Sequence, residues 1–244
     1  MTALASFQRP MKAAVVGASG GIGGALVKRL ADDPAVGDVL ALSRSGSAPD
    51  AANIRTKRID ITDEASVAAV FAEETDLDLV LVATGVLQGD GFSPEKTWRH
   101  IDADAFAKVF AINTTGPALV AKHALPKLAS GRKAAFAALS ARVGSISDNG
   151  YGGWHAYRAS KAALNMLIRN FAIELARKNE TALCVGLHPG TVDTELSRPF
   201  QRNVPDEKLF TPDYSAERLI AVLESLTPER SGKCFAWDGI EIPA

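Results

Sequence analysis

Ala13-Ala14-Val15-Val16-Gly17-Ala18-Ser19-Gly20-Gly21-Ile22-Gly23-Gly24 decides the fold: an apolar run meets five glycines in eight residues, and Ala25-Leu26-Val27-Lys28-Arg29-Leu30 then opens a helical pattern. A strand, a glycine turn and a helix start make an anion site. Bare backbone can approach a pyrophosphate, whose charge meets the free N–H groups and the positive helix end. Gly17, Ser19, Gly20, Gly21 and Ile22 are the candidate contacts. The spacing, Gly17-x3-Gly21-x-Gly23, differs from the G-x-G-x-x-G dinucleotide fingerprint.

Outward from this turn, short β-branched apolar runs alternate with longer helical patterns, the rhythm of βαβ units. Seven runs read as strands, at 12–16, 38–42, 56–59, 79–82, 134–139, 183–187 and 233–236. Helices are expected at 21–31, 63–72 behind a Thr62 cap, 103–130 with a break near Thr114-Thr115-Gly116-Pro117, 156–178 and 215–226. The fold class is α/β: one doubly wound Rossmann domain over 1–244, with a seven-stranded parallel sheet flanked by helices. Residues 1–10 read as an N-terminal tail. Residues 195–212, carrying Pro199, Pro205 and Pro212, read as a substrate-binding lid.

Of 244 residues, 47% are apolar and 23% charged, ample for a core and against a disordered chain. Twenty-seven Lys+Arg against 28 Asp+Glu leave a net charge of −1. That gives no overall basic field to attract nucleic acid or anionic lipid, so a small-molecule partner fits better. Neither a secretion signal nor an apolar span of membrane length is apparent. Cys184 and Cys234 read as two reduced, buried thiols, and the expected location is the cytoplasm.

The second strand should end in a group that reads the adenosine ribose, and it offers Ser43-Arg44 rather than an acid. A guanidinium can pair with a 2′-phosphate that a carboxylate would repel, which favours NADP(H) over NAD(H). The alternative is an ordinary solvated arginine. Further on, Tyr157-Arg158-Ala159-Ser160-Lys161 puts a phenol and an ammonium one helical turn apart on one face. A free phenol titrates about three units too high for neutral acid–base work, a gap of ~4 kcal/mol. A lysine charge ~4 Å away at an effective dielectric near 20 supplies about that much.

With these residues the chain resembles the short-chain dehydrogenases/reductases over nearly its whole length. The features are the turn at 17–23, Asp60 after the third strand, Asn113 in the interrupted helix, Tyr157 with Lys161, and Pro189-Gly190-Thr191-Val192-Asp193-Thr194. Gly144-Ser145-Ile146-Ser147-Asp148-Asn149 and the ending Ser231–Pro243 are similar to the subgroup of sniffer-type carbonyl reductases and C-factor-like proteins. The resemblance implies that Tyr157 donates a proton to a carbonyl, that Lys161 lowers its pKa and holds the nicotinamide ribose, and that Asn113 seats a water linking Lys161 to solvent. It implies Asp60 and Ile61 beside the adenine, Ala83, Thr84 and Gly85 along the cofactor, and Pro189, Gly190, Val192 and Thr194 at the nicotinamide end. It also implies a homodimer or homotetramer.

Two departures, Val16 before the first glycine and Val82-Ala83-Thr84-Gly85 for Asn-Asn-Ala-Gly, affect loop bracing. A third affects chemistry. The family's Ser-Ser-x-x-Gly is here Ser140-Ala141-Arg142-Val143-Gly144, which puts Ala141 at the catalytic serine's position. Losing one donor to a developing oxyanion costs ~10²-fold or more. Ser140 is the first substitute, though strand alternation requires a local twist for it to serve; Ser145 is the second. His188 has no neighbours at metal-ligand spacing, and no metal is expected. His155 reads as a capping or solvent-exposed residue, while Trp154 and Phe200 are pocket walls or core.

The leading expectation is an NADP(H)-dependent oxidoreductase acting on a carbonyl or a secondary alcohol. Its rival is a cofactor-binding regulatory or signalling protein with weak or no catalysis. A nucleotide-sugar epimerase is disfavoured, because the chain is short for a separate sugar-binding domain.

Overall fold

The structure is a computed structural model that describes residues 3–244. β1 (Met11–Val16) leads through α1 (Gly21–Asp32) to β2 (Val36–Ser43), then β3 (Ile54–Arg58), α2 (Glu64–Ala72) and β4 (Leu79–Val82). α3 (Ala103–Phe110) and α4 (Gly116–Ala124) follow, joined by a π-helical turn at Ala111–Thr115. Next come β5 (Ala134–Leu139), α5 (His155–Ala176), β6 (Ala182–His188), β7 (Thr191–Val192), β8 (Leu209–Phe210), α6 (Pro212–Ser225), β9 (Cys234–Ala236) and β10 (Glu241–Ile242).

The main sheet runs β10-β9-β6-β5-β4-β1-β2-β3. The seven expected strands pair in parallel, and β10 adds an antiparallel eighth at the edge, with Glu241 opposite Phe235 and Ile242 opposite Cys234. Chain order reverses between β1 and β4, which opens a crevice beyond the carboxyl ends of those strands. Alternate pleat faces feed two cores. Val15, Leu81, Val185 and Phe235 pack with Leu26 and Leu30 of α1 and Leu219 of α6. Val16, Val80 and Phe136 pack with Phe71 of α2, Val120 of α4 and Leu164 of α5.

Two expectations are corrected, the α2 cap and the start of α6, and two further segments gain detail. Within residues 3–10, read as an N-terminal tail, Leu4 and Phe7 are apolar and pack into the first core, and Ser6 N–H and Oγ donate to Glu224 of α6. Asp63, not Thr62, caps α2 by accepting Ala65 N–H at 3.0 Å, because Thr62 donates its own N–H and hydroxyl to Asp60 Oδ1. α6 starts at Pro212, three residues early: Thr211 Oγ1 accepts Tyr214 N–H, and proline suits the first helical position. The 195–212 segment carries local order. It holds 3₁₀ turns at Arg198–Asn203 and Asp206–Lys208, and β8 returns to pair with β7.

Among the described residues no helix is long and apolar enough to cross a membrane, and no group of three or more His, Cys, Asp or Glu could hold a metal ion.

Candidate active site

The glycine turn is shaped by backbone contact. Gly17 sits at φ +95°, and a Cβ there would lie 3.0 Å from the Ala83 carbonyl and 3.1 Å from Thr84 Cγ2. At Gly23 a Cβ would fall 2.1 Å from Gly17 O, so the helix start lies directly against the turn. No side chain caps α1 and no acid stands in its first turn, while Ser19, Gly20 and Gly21 are exposed. Its first N–H groups therefore suit an anion. Thr84 Oγ1, sealed beside this turn, has no hydrogen-bond partner. The exposed cradle and the orphaned hydroxyl fit a dinucleotide phosphate.

Thr194 reaches the same turn: its Cγ2 is 2.8 Å from where a Gly21 Cβ would stand. Arg44 is exposed at the end of β2, and its carbonyl accepts Arg58 Nε–H at 3.1 Å. Hydrogen bonds from Thr62, and then the Arg44 charge, hold the Asp60 carboxyl below its usual range. Ile61 is buried, its side chain meeting the α4 start at Gly116. Ser43 is turned inward instead, 3% exposed, its hydroxyl engaged by Ser45 Oγ and Ser47 O.

The second cluster converges on Gly85. A Cβ there would be 3.7 Å from Asn113 Oδ1 and 3.8 Å from Lys161 Nζ. Asn113 is fully buried in the π-helical turn, where its Oδ1 accepts Val86 N–H and its Nδ2 donates to Val86 O and Ser160 Oγ. Such turns distort a helix locally and recur at functional sites. Lys161 Nζ donates to Leu139 O at 2.7 Å and lies 5.9 Å from the Tyr157 ring centroid. The ammonium is thus tied to a strand-end carbonyl on the side of the helix that carries the phenol. Burial pushes Tyr157 up to about 12 and Lys161 down to about 8, so for the phenol the sign is opposite to the sequence expectation.

At the end of β5, Ala141 is buried and offers only a methyl group. Ser140 Oγ donates to Asn165 Oδ1 of α5 at 2.6 Å, and Ser145 Oγ accepts Asp148 N–H at 3.1 Å. Ser140 thus spends its proton within the fold, whereas Ser145 uses only a lone pair in this bond. On the neighbouring strand, the buried Nδ1 of His188 has none.

Residues of the 195–212 segment border the crevice. Leu196 lies beside Gly85, and a cavity of about 390 Å³ opens between Gly85–Gly89, Phe92 and Glu195–Leu196. Trp154 joins Tyr157, with ring centroids 6.3 Å apart, to Phe200, at 5.1 Å. Gly190, at φ +81°, lies under Phe210 and Trp237, and Pro189 O accepts Ser215 Oγ–H. Val192 is buried where β7 meets β8.

Two residues have no signal in the sequence. Glu95, 5% exposed, accepts Ala156 N–H on its carboxylate and Trp154 N–H on its carbonyl, tying the start of α5 from 61 residues away. Arg158 donates to Gly152 O, Gly153 O and Val143 O, so it staples the approach to Tyr157. Neither bond leaves a local trace in composition or spacing.

The description "short chain dehydrogenase" matches residues 11–205. The chain is 35% identical over 232 residues to 1-hydroxy-2-glutathionyl-2-methyl-3-butene dehydrogenase of Rhodococcus sp. (strain AD45), covering 92% of this chain and 96% of that one. It is 38% identical over 143 residues to the C-signal protein of Myxococcus xanthus, 59% of this chain and 81% of that one. NADPH-bound carbonyl reductase from chicken fatty liver superposes with a TM-score of 0.83 at 27% identity, over 98% of this chain and 97% of that one. The fold, the matched span and these relatives agree: the chain belongs to the short-chain dehydrogenase family.

Proposed function

We propose that the protein is an NADP(H)-dependent oxidoreductase that reduces a small carbonyl compound to a secondary alcohol, or runs the reverse. The observation that carries this reading is the convergence of Asn113 and Lys161 on Gly85, beside Tyr157 and the cavity under Leu196. Gly17, Ser19, Gly20, Gly21 and Ile22 would hold the pyrophosphate, Arg44 the 2′-phosphate, Asp60 and Ile61 the adenine, and Ala83 to Gly85 with Pro189 to Thr194 the nicotinamide half. Bound there, the dinucleotide supplies or accepts the hydride.

Tyr157 holds its proton firmly in the buried site and gives it to the carbonyl oxygen as negative charge develops there. Lys161 stabilises the phenolate left behind. Asn113 fixes the Val86 backbone at the crevice wall, which positions the reacting carbonyl. Ala141 offers no hydroxyl and Ser140 gives its proton to Asn165 Oδ1, so the end of β5 presents no serine donor at this position.

The 38% identity to C-signal, together with Ala141, favours a second reading: a signalling protein that keeps the cofactor site and turns over little. One experiment separates them. In the enzyme, NADPH binds in a fluorescence titration and is oxidised by 1,2-diketones or aldehydes. Tyr157→Phe then lowers kcat about 10³-fold with NADPH affinity retained. NADPH binding with no turnover across the carbonyl panel would establish the second reading instead.

Cys184 and Cys234 are free, buried thiols, which supports work in the cytoplasm. Met166 and Ile173, exposed seven residues apart on α5, support self-association through that helix as a homodimer or homotetramer.

A further inference from the structure

We infer that His188 supplies the hydrogen bond to the substrate carbonyl oxygen that the missing serine would have given. The inference rests on the oxidoreductase reading above and names a catalytic residue for it.

Strand register places His188 at this end of the crevice. β5 and β6 pair with Leu139 opposite Leu187, and Ser140 N–H donates to Leu187 O at 2.8 Å. His188 is the next residue, one strand spacing of about 4.8 Å from the Ser140-Ala141 step. Lys161 Nζ is bound to Leu139 O on the same strand end. Cys184 packs in the α5-side core, so by alternation His188 rises on the face that carries Tyr157 and Lys161.

The imidazole is also free to act. Its buried Nδ1 has no hydrogen-bond partner, an arrangement that is costly unless something fills it. Of the other polar groups at this strand end, Ser140 gives its proton to Asn165 Oδ1, Ser145 accepts Asp148 N–H, and Arg142 pairs with Asp148 at 3.0 Å. Burial, and then the Arg142 charge, push His188 down to about 4 against the opposing pull of Asp238. At neutral pH the ring is neutral, with one N–H to donate.

During reduction the carbonyl carbon accepts the hydride, the C=O π pair moves to oxygen, and Tyr157 delivers the proton. His188 donates a hydrogen bond to that oxygen throughout and transfers no proton. The acid–base balance is therefore the same as in an enzyme that uses serine.

The test takes the full-length protein with NADPH and a 1,2-diketone. His188→Leu is expected to lower kcat about 10²-fold, with NADPH affinity unchanged. His188→Asn, which keeps an N–H, and Ala141→Ser in the His188→Leu background should each restore at least tenfold. In the NADP⁺ complex of ¹⁵N-histidine-labelled protein, adding the alcohol product should shift a His188 ring nitrogen. A kcat within threefold of wild type in His188→Leu overturns the inference. So does a loss that neither restoring change repairs, or a ring nitrogen that does not respond to the alcohol. Wild-type protein with no Tyr157-dependent turnover sinks the oxidoreductase reading and this inference with it. Tyr157-dependent turnover indifferent to His188→Leu sinks the inference alone.

Discussion

The crevice has two ends built on different principles. At the β1–α1 turn the demands fall on main chain: Gly17 takes a positive φ against the Ala83 carbonyl, and Gly23 leaves no room for a Cβ. At the end of β5 they fall on side chains drawn from four segments, with Lys161 on Leu139 O, Ser140 on Asn165, Asn113 on Val86, and His188 alone. A main-chain site tolerates almost no substitution at its glycines, whereas a side-chain site can lose one hydroxyl and recruit another group. The glycine turn is built here as the resemblance implies, and Ala141 stands where the resemblance places a serine.

The first end breaks hardest. Gly23→Ala would set a methyl 2.1 Å from Gly17 O, and backbone cannot rotate out of the way. NADPH affinity should fall about 10²-fold and stability by about 1–3 kcal/mol, read by fluorescence titration and urea melts. Gly24→Ala, whose Cβ would meet Ala18 O at 3.3 Å, is the control that should bind nearly normally. Equal damage from both would mean that the turn is not selecting glycine for space.

The second end responds to pH. Lys161, held down to about 8 by burial, is charged below that value and neutral above it. Tyr157, up at about 12, stays protonated across the range. Reduction consumes a proton and leaves a phenolate that needs the ammonium. Its kcat/KM should therefore be level below about pH 8 and decline above it, approaching tenfold per unit. Folding responds with the opposite sign. Between about 8 and the free lysine value of 10.5 the unfolded chain binds more protons, so Lys161 makes stability rise with pH. A rate profile level to pH 10 would remove Lys161 from the chemistry.

Arg44 gives a smaller effect at the dinucleotide end. Its guanidinium is exposed, so water screens much of what it offers a 2′-phosphate. Arg44→Ala should weaken NADPH about tenfold while leaving NADH within twofold, measured by parallel titrations. Equal weakening of both would assign Arg44 to loop structure through its carbonyl bond to Arg58.

What could be read from the sequence follows the same division. The seven parallel strands, the break in the helix after residue 103 and the glycine turn are written in periodicity and glycine spacing, which act over a few residues. β10 is two residues long and is defined by its pairing with β9, which no local pattern announces. The α2 cap went to Asp63 because Asp60 had claimed Thr62, and the order within the 195–212 segment depends on β8 meeting β7. At the site, Tyr157, Lys161 and Asn113 are legible as a set. The ammonium's attachment to Leu139 O, the bond from Glu95 to the start of α5 and the solitary ring of His188 appear only when distant strands and loops meet.

Ser140 provides the smallest effect and the finest discrimination. Its hydroxyl donates to Asn165 Oδ1 at 2.6 Å across to α5, so removing it leaves that oxygen short of a donor in a part-buried place. Ser140→Ala should cost about 1 kcal/mol in a urea melt and change kcat less than threefold. Were Ser140 the group that meets the carbonyl oxygen, the same variant would lose about 10²-fold in kcat with little change in stability. The two outcomes differ in which measurement moves, and a single preparation assayed both ways decides whether the β5 end works through its own strand or through the neighbouring one.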